Sequence, residues 1–138
     1  MKIVALDVGD VRIGVANSDD LGMIATPFEV IDRRKTKAVN RVFKIMEEFK
    51  TNFLVVGLPL SLDGTEKVQA QKVREFCRKL LESDESIRIE FVDERYTTVT
   101  ADNILTRNGK KGAKNKRKVV DKIAASIILQ NYLDRKKK

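Results

Sequence analysis

The stretch that decides the fold lies near the start of the chain, where residues 3–16 read Ile3-Val4-Ala5-Leu6-Asp7-Val8-Gly9-Asp10-Val11-Arg12-Ile13-Gly14-Val15-Ala16. Two apolar runs at 3–6 and 13–16 are rich in β-branched residues, and a glycine-containing turn separates them. The stretch therefore predicts two short strands joined by a tight turn. Asp7 ends the first run and Gly9 follows, which would expose a carboxylate where a phosphate or a metal can approach the backbone. The alternative is a turn in which both residues serve geometry alone.

Outward from this hairpin, the sequence predicts further strands and helices in alternation. A third strand is expected at 23–31, with Pro27 marking an edge or a bulge. The elements expected after it are a helix at 35–50, a strand at 53–56, a helix from an N-cap at Thr65 to Glu82 with Cys77 inward, a strand at 87–92, a helix from Thr97 or Thr98 to about 109, and a helix at 119–133 that buries Ile123 and Ile127.

This order predicts an α/β fold with a central mixed five-stranded sheet flanked by helices. The first three strands would form an antiparallel meander, and two parallel strands would extend it through helical crossovers. At 138 residues we expect a single domain spanning 1–138. A basic loop is expected at 109–118, where six of ten residues are Lys or Arg, and a basic tail at 134–138.

The composition excludes several kinds of chemistry. There is no histidine, which removes Ser-His and Cys-His nucleophile pairs, and the single cysteine leaves no usual zinc site. A hydrolytic reaction would therefore depend on carboxylates, on lysine, or on a hard metal bound by oxygen ligands. One cysteine, no signal peptide and no apolar run near the ~20 residues of a membrane span predict a cytoplasmic protein.

The charge balance favours a polyanionic partner. There are 28 Lys and Arg against 20 Asp and Glu, a formal net charge of +8, which suits nucleic acid or an anionic membrane surface. Charge that serves only solubility is the alternative. Aromatic residues make up 6% of the chain, which argues against a stacking platform for single strands and favours structured or duplex nucleic acid.

Three further segments carry polar residues where a fold of this kind collects ligands. Residues 55–66 read VVGLPLSLDGTE and form a strand-to-helix loop, which on its own could be no more than a capped loop. Asp93 and Glu94 follow a buried strand, and strand alternation sends them to opposite sides. Asp121 stands in the first turn of the last helix, where the helix dipole alone would favour an acid. Ala124 and Ala125 would let that helix pack close to the sheet.

Four segments in register, LDVGDVRIGVA, VVGLPLSLDGTE, VDERYTTVTA and DKIAASIIL, resemble the signatures of the YqgF/RuvX family of RuvC-like proteins. The resemblance covers nearly the whole chain and implies a ribonuclease H-like fold. It departs from the family pattern at Asp10-Val11, Ser61 and Tyr96. It implies that Asp7, Glu94 and Asp121 are catalytic acids and ligands of Mg²⁺ or Mn²⁺. The family is linked to maturation of the 5′ end of pre-16S ribosomal RNA and to resolution of Holliday junctions.

From this resemblance we expect a metal-dependent endonuclease that acts on structured RNA or on branched DNA. Ribosome precursors are a further expected partner, and no membrane partner is expected. Its metal-free acids would repel each other, so at least one should have a raised pKa. The residues expected to contact nucleic acid are Arg12, Arg95, Thr97, Thr98, Lys110, Lys111, Lys114, Lys116, Arg117 and Lys118. We expect a monomer or a weak dimer, since symmetrical junction cleavage would need two copies.

Two other functions stay open at this point. An actin-type ATP-dependent kinase shares the shape of the first segment, but that fold needs two lobes and this chain is long enough for one. A non-catalytic nucleic-acid or ribosome-associated module would keep the fold without turnover.

Overall fold

The computed structural model describes residues 1–94 and 113–136, with side chains from residue 120 onward in the second range. The elements in chain order are β1 (Val4–Val8), β2 (Arg12–Ser18), β3 (Ala25–Asp32), α1 (Ala38–Glu48), β4 (Phe53–Leu58), α2 (Val68–Ser83), β5 (Arg88–Asp93) and α3 (Ala113–Lys136). The predicted helix that starts at Thr97 or Thr98 lies outside these ranges.

Within residues 1–94, five strands form one sheet in the order β3-β2-β1-β4-β5. β1, β2 and β3 pair antiparallel, whereas β4 lies parallel to β1 and β5 lies parallel to β4. The predicted α/β fold, with a three-strand meander and two parallel strands, is therefore confirmed. β1 occupies the centre of the sheet, so the end of this strand is surrounded by neighbours on both sides.

Pro27 lies on β3, the outermost strand next to β2. The register between the two strands shifts at Val15/Ala16, where Val15 pairs with Glu29 and Ala16 pairs with Pro27. Proline has no N–H to donate to a ladder, so an edge strand with an irregular register accommodates it. The predicted edge or bulge at this residue is confirmed.

One face of the sheet is covered by α1 and α2. Val4, Leu6 and Val8 of β1 point to this face, where they pack with Val42 of α1 and other buried aliphatic residues. The apolar stripe of α2 is also buried here, and its members are Val73, Phe76, Cys77 and Leu80. Burial raises the pKa of the Cys77 thiol to about 12, so the thiol behaves as a small apolar group. The core spacing predicted for α2 is confirmed.

The opposite face is covered by α3, which packs on Ala5 of β1 and on Ile3 just before this strand. The buried residues of α3 are Ala124, Ala125, Ile128, Leu129, Tyr132 and Leu133. The predicted inward residues Ile123 and Ile127 are only half-buried, so the helix is rotated from the expected orientation. The two alanines lie at the contact, as the sequence predicts, and small side chains let the helix axis approach the sheet closely.

α3 begins at Ala113 rather than at 119, so residues 113–118 of the predicted basic loop are helical. The helix also continues to Lys136 and includes residues 134–136 of the predicted tail. Lysine, arginine and alanine are good helix formers, and a high charge does not by itself prevent a helix. None of the helices in the described ranges is long and apolar enough to span a membrane.

The start of α2 also differs from the prediction. Thr65 is not its N-cap, since the helix begins at Val68 and the capping position is Lys67, without a side-chain hydrogen bond. The backbone N–H and the hydroxyl of Thr65 instead donate to Asp63 Oδ1, at 3.0 and 2.7 Å. A short aspartate side chain that bonds to nearby backbone favours a turn over a helix, which delays the first helical turn.

Candidate active site at the edge of the sheet

Asp7 lies near the carboxyl end of the central strand β1. Alternate residues of a strand share a face, so its side chain lies on the same face as Ala5, which packs against α3. Gly14 of β2 is its direct partner across the antiparallel pair. On the other side β1 pairs with β4 at Leu6 and Val56, which places Gly57 beside Asp7. The carboxylate therefore stands between two glycines.

Both glycines are required because other groups approach them closely. A Cβ atom at Gly14 would overlap the backbone carbonyl of Asp121. A Cβ atom at Gly57 would lie 2.5 Å from Glu94 Oε2 and would also strike the side chain of Ile128. The absence of both Cβ atoms lets α3 and the end of β5 bring Asp121 and Glu94 close to Asp7.

Glu94 follows the last residue of β5, and its N–H donates to the carbonyl of Leu58 at 3.2 Å. Its side chain is hydrogen-bonded to Asp7. Phe91 of the same strand lies beneath the guanidinium of Arg74 on α2, at 4.7 Å from ring centroid to Cζ. Since Asp93 shares the face of Phe91 by alternation, the two adjacent acids diverge as the sequence predicts.

The pKa values of Asp7 and Glu94 are both raised. Burial is the largest cause that raises the pKa of Glu94 to about 9, and the charge of Asp7 and their hydrogen bond raise it further. Burial also raises the pKa of Asp7, and the charge of Asp121 adds to this, while the hydrogen bond to Glu94 opposes it. Both shifts favour the protonated carboxyl at this site when no cation is bound. The expectation of a raised pKa among the acids is confirmed.

Asp121 is held by Arg12, whose Nε donates to Asp121 Oδ2 at 2.8 Å. Each side chain is 24% exposed, so this charge-assisted bond is partly shielded from water. Arg12 is predicted from the sequence as a nucleic-acid contact, and the pairing with Asp121 gives it a second role at the site. The sequence gives no sign of this ion pair, because 109 positions separate its partners.

The three predicted acids thus lie at one edge of the sheet, but they are not equivalent. Asp7 and Glu94 are bonded to each other, and Asp121 acts on Asp7 through its charge. In the part of the chain with described side chains, no three acidic, cysteine or histidine residues are grouped so as to hold a metal ion. Hard carboxylate oxygens are the ligands that Mg²⁺ and Mn²⁺ prefer. The Asp7–Glu94 pair fits such an ion, and Asp121 is engaged by Arg12.

The other residues predicted to contact nucleic acid are not part of this description. Arg95, Thr97, Thr98, Lys110 and Lys111 lie outside the described residues. The backbone of α3 includes Lys114, Lys116, Arg117 and Lys118, whose side chains are likewise outside the description. Their expected role remains a prediction.

The sequence analysis did not identify the two glycines as site residues. Their signal is present in the chain, since Gly14 follows Asp7 by seven positions across a short turn, and a hairpin of that length sets the two residues opposite each other. Gly57 could be found in the same way, because it ends an apolar strand that the βαβ order places parallel to β1.

A mixed sheet with acids at the end of its central strand, and a helix packed across them, defines a ribonuclease H-like α/β protein. The structure is similar to that of Thermus thermophilus RuvC in complex with a Holliday junction substrate, with a TM-score of 0.61 at 13% identity, covering 99% of this chain and 96% of that one. A second T. thermophilus RuvC structure gives a TM-score of 0.57 at 12% identity, covering 99% and 97%. At these identities the likeness shows the fold.

The family model described as "RuvX: Holliday junction resolvase" matches residues 1–135. The chain therefore belongs to the RuvX family, as its four signatures predict. A relative from Fusobacterium nucleatum subsp. nucleatum, named "Putative pre-16S rRNA nuclease", is 60% identical over 136 residues, 99% of both chains. Relatives with the same name from Clostridium novyi and Thermoanaerobacter pseudethanolicus are 42% and 43% identical, and the matches cover 97–99% of this chain and 98–99% of theirs.

Proposed function

We propose that this chain is a metal-dependent endonuclease that hydrolyses phosphodiesters in structured nucleic acid, and that it acts in maturation of the 5′ end of pre-16S ribosomal RNA. The observation that carries the proposal is the meeting of Asp7 and Glu94, with Asp121 close by, at the edge of a ribonuclease H-like sheet. The names of the relatives support the RNA substrate. The formal net charge of +8 supports a polyanionic one.

In this proposal the acids have different tasks. Asp7 and Glu94 would hold a divalent cation between their carboxylates, and Asp121 would complete the set. A carboxylate has about four lone-pair positions, so a bond from Arg12 to Oδ2 does not prevent Asp121 from accepting a second contact. When bound, the cation would supply a water of lowered pKa and would neutralise charge on the phosphate.

The residues of the chain would then orient the reacting groups. On cation binding, the proton held at the Asp7–Glu94 pair would be released to solvent, and the ionised carboxylates would accept hydrogen bonds from the attacking water. Arg12 would hold Asp121 in place and set a positive charge where the phosphate arrives. Hydrolysis forms a bond from the water oxygen to phosphorus and breaks the bond to the 3′ oxygen. The departing 3′ oxygen would take its proton from solvent water. The products would carry a 5′-phosphate and a 3′-hydroxyl.

The test is cleavage of a labelled pre-16S ribosomal RNA fragment with Mg²⁺ or Mn²⁺. We expect Asp7→Asn to lower the rate by at least about 10³-fold, since a carboxylate at the reacting centre is lost without a change in volume. Asp20→Asn, which removes an exposed acid elsewhere, should cut like the wild type. Cleavage that survives Asp7→Asn would contradict the assignment of the site.

A DNA junction is the second candidate substrate, favoured by the description of the family model. A synthetic four-way junction in the same assay separates the two. Symmetrical cuts in the junction, with no cut in the ribosomal RNA, would favour the resolvase. Sedimentation would have to show a dimer on the junction, because two strands are cut at related positions.

A non-catalytic binding module is the third candidate. It is favoured by the Arg12–Asp121 ion pair, which neutralises one acid without any metal. Tight binding of either substrate without any cut, at Mg²⁺ or Mn²⁺ concentrations that saturate binding, would select this function.

A further inference from the structure

A basic groove lies on the α1/α2 side of the sheet, away from α3. It consists of two adjoining cavities of about 500 and 670 Å³, which share Arg33, Arg34, Phe76 and Lys79. The first cavity also includes Lys35 and Lys37 before α1, and the second includes Asp10 and Lys72. We call these cavities together the α1/α2 groove.

Positive charge dominates this groove. Its cations are Arg33, Arg34, Lys35, Lys37, Lys72 and Lys79. Two are paired, since Arg34 bonds to Asp32 at 3.1 Å and Lys72 to Asp10 at 3.4 Å. Glu75, also in the lining, is paired with Arg78 outside the groove. Lys35, Lys37 and Lys79 form no ion pair with any carboxylate among the described residues. With Arg33, whose guanidinium bonds to a backbone carbonyl, four of the six cations form no salt bridge within the described residues, and such a surplus in a concave surface attracts an extended anion.

Arg33 gives the groove a fixed wall. Its Nη1 donates to the carbonyl of Gly9 at 2.8 Å, and its backbone N–H donates to the carbonyl of Val11 at 2.9 Å. Its guanidinium also lies 5.2 Å from the centre of the Phe76 ring. These contacts tie the groove directly to the turn between β1 and β2. The guanidinium also covers Phe76, which is 3% exposed.

That turn is shared with the candidate active site. Asp10 stands in the groove, whereas Asp7 lies three residues earlier and Arg12, two residues later, bonds to Asp121. Three residues span at most about 10 Å. One strand of a duplex carries a phosphate every ~3.4 Å along the axis, so this span corresponds to about three nucleotides. Since Asp7 faces α3 and the groove lies on the opposite face, a strand held at Asp7 would pass around the turn between β1 and β2 to enter the groove.

We propose that the α1/α2 groove binds the sugar–phosphate backbone of the nucleic acid, beginning about three nucleotides from the phosphodiester held at Asp7 and Glu94. The inference rests on the proposed function for the position of the substrate. Lysines in a groove contact phosphates without reading bases, so this contact holds the flanking duplex in place without adding sequence preference. Lys37 and Lys79 are the residues that we expect to make it.

The test compares two variants with the same change in charge. Lys37→Gln/Lys79→Gln removes two cations of the groove. Lys44→Gln/Lys50→Gln removes two exposed cations that do not line it. Binding is measured without divalent metal, by fluorescence anisotropy, on two RNA hairpins with the same central sequence. The short hairpin has about 4 base pairs and the long one about 24, so that, with the duplex centred on the acids, only the long hairpin extends the three nucleotides that lead into the groove.

We expect the groove variant to bind the long hairpin about 5- to 10-fold more weakly. The slope of log K against log salt should become shallower by about 1.8, since each lost phosphate contact removes about 0.9. Binding of the short hairpin should not change, and the control variant should bind both RNAs like the wild type. An unchanged affinity of the groove variant for the long hairpin, or an equal loss in the control variant, would overturn the proposal. A polyglutamate peptide is tested in the same assay, and a loss of affinity by the groove variant for this peptide alone would also overturn the proposal.

Failure of this inference can be told apart from failure of the proposed function. If the wild type cuts no RNA but the groove variant still loses affinity for the long hairpin, the proposal for the groove is supported and the catalytic proposal is contradicted. If the wild type cuts the short hairpin and Asp7→Asn does not, and the groove variant binds the long hairpin normally, the catalytic proposal is supported and the proposal for the groove is contradicted.

Discussion

The two faces of the central sheet are built from the same strands and yet differ in every property that matters for function. On the α1/α2 face, β1 presents Val4, Leu6 and Val8, each buried among aliphatic side chains. On the α3 face the same strand presents Ala5 and Asp7, and its neighbours present Gly14 and Gly57. Large apolar residues stabilise the sheet on both faces, since α3 packs on Phe53 and Val55. At the carboxyl end of the α3 face, small residues make room for carboxylates that repel each other.

The difference shows that alternation along a strand can place a residue that stabilises the fold directly beside a residue that serves the proposed chemistry. Asp7 and Glu94 are costly to bury, and both have a raised pKa as a result. The apolar residues buried on both faces offset this cost. Substitutions at adjacent residues of β1 that point to different faces should therefore have opposite consequences.

The largest effect on stability should come from Leu6→Ala. Leu6 is fully buried, and its truncation should lower the free energy of unfolding by about 3 kcal/mol, through lost burial and the cavity that remains. Asp7→Asn, one residue later, should leave the metal-free protein as stable or more stable, because it removes a negative charge beside Glu94 and Asp121. Urea unfolding in EDTA measures both. A similar loss of stability in both variants would contradict the separation of the two faces.

A smaller effect should follow from filling the glycine positions on the α3 face. Gly14→Ala places a Cβ on the backbone of Asp121, which belongs to a helix and cannot move alone, so we expect a loss of about 2 kcal/mol in the free energy of unfolding. Gly57→Ala meets only the side chains of Glu94 and Ile128, which can rotate away.

Gly57→Ala is therefore the matched control for backbone overlap. Its loss of stability should be clearly smaller, while its cleavage rate falls because Glu94 is displaced. Thermal unfolding and cleavage rates, measured on the same preparations, separate the two outcomes. Equal losses of stability would show that α3 does not limit the space at Gly14.

The smallest effect should be the dependence of stability on pH. Because the pKa of Glu94 is raised in the folded state to about 9, the folded protein retains a proton that the unfolded chain, with a pKa near 4.5, releases. The contribution of Glu94 to the free energy of unfolding of the metal-free protein should thus be fully present below pH 4.5 and be lost between pH 4.5 and 9. For a pair that is in part exposed, we expect about 1–2 kcal/mol in total.

Glu94→Gln should flatten this dependence, because glutamine mimics the protonated carboxyl at every pH. Glu85→Gln, at an exposed position, should keep the wild-type profile. The midpoints of thermal unfolding in EDTA at pH 5, 7 and 9 provide the measurement. A midpoint that rises with pH in the wild type, while Glu94→Gln stays flat, would show that the sign is wrong.

The strands and the inward stripe of α2 could be predicted because each depends on a local pattern. Alternation and apolar runs mark the strands, and the spacing of Val73, Phe76, Cys77 and Leu80 marks the helix. The divergence of Asp93 and Glu94 follows from the same alternation. These properties can be predicted without knowing which residues pack against the sheet.

The predictions from the sequence are wrong or incomplete where a distant partner or a competing local hydrogen bond determines the structure. The rotation of α3, which buries Ala124 and Ile128 rather than Ile123 and Ile127, depends on the glycines beneath it. The pairing of Arg12 with Asp121 depends on that rotation. The late start of α2 depends on the bond from Thr65 to Asp63, which the capping pattern conceals. In each case the local sequence is compatible with both arrangements, and contacts in the folded chain determine which one forms.

The close approach of α3 to β1 has a consequence for the order of events during synthesis. The carboxylates that we propose for catalysis come from the first strand, from the end of the last strand and from the last helix. A growing polypeptide therefore lacks the complete set until residue 121 has been added. Chains leave the ribosome from the amino end, and long-range contacts of this kind form late. A partly made chain would therefore be unable to cut the nucleic acid around it until residue 121 has emerged and docked.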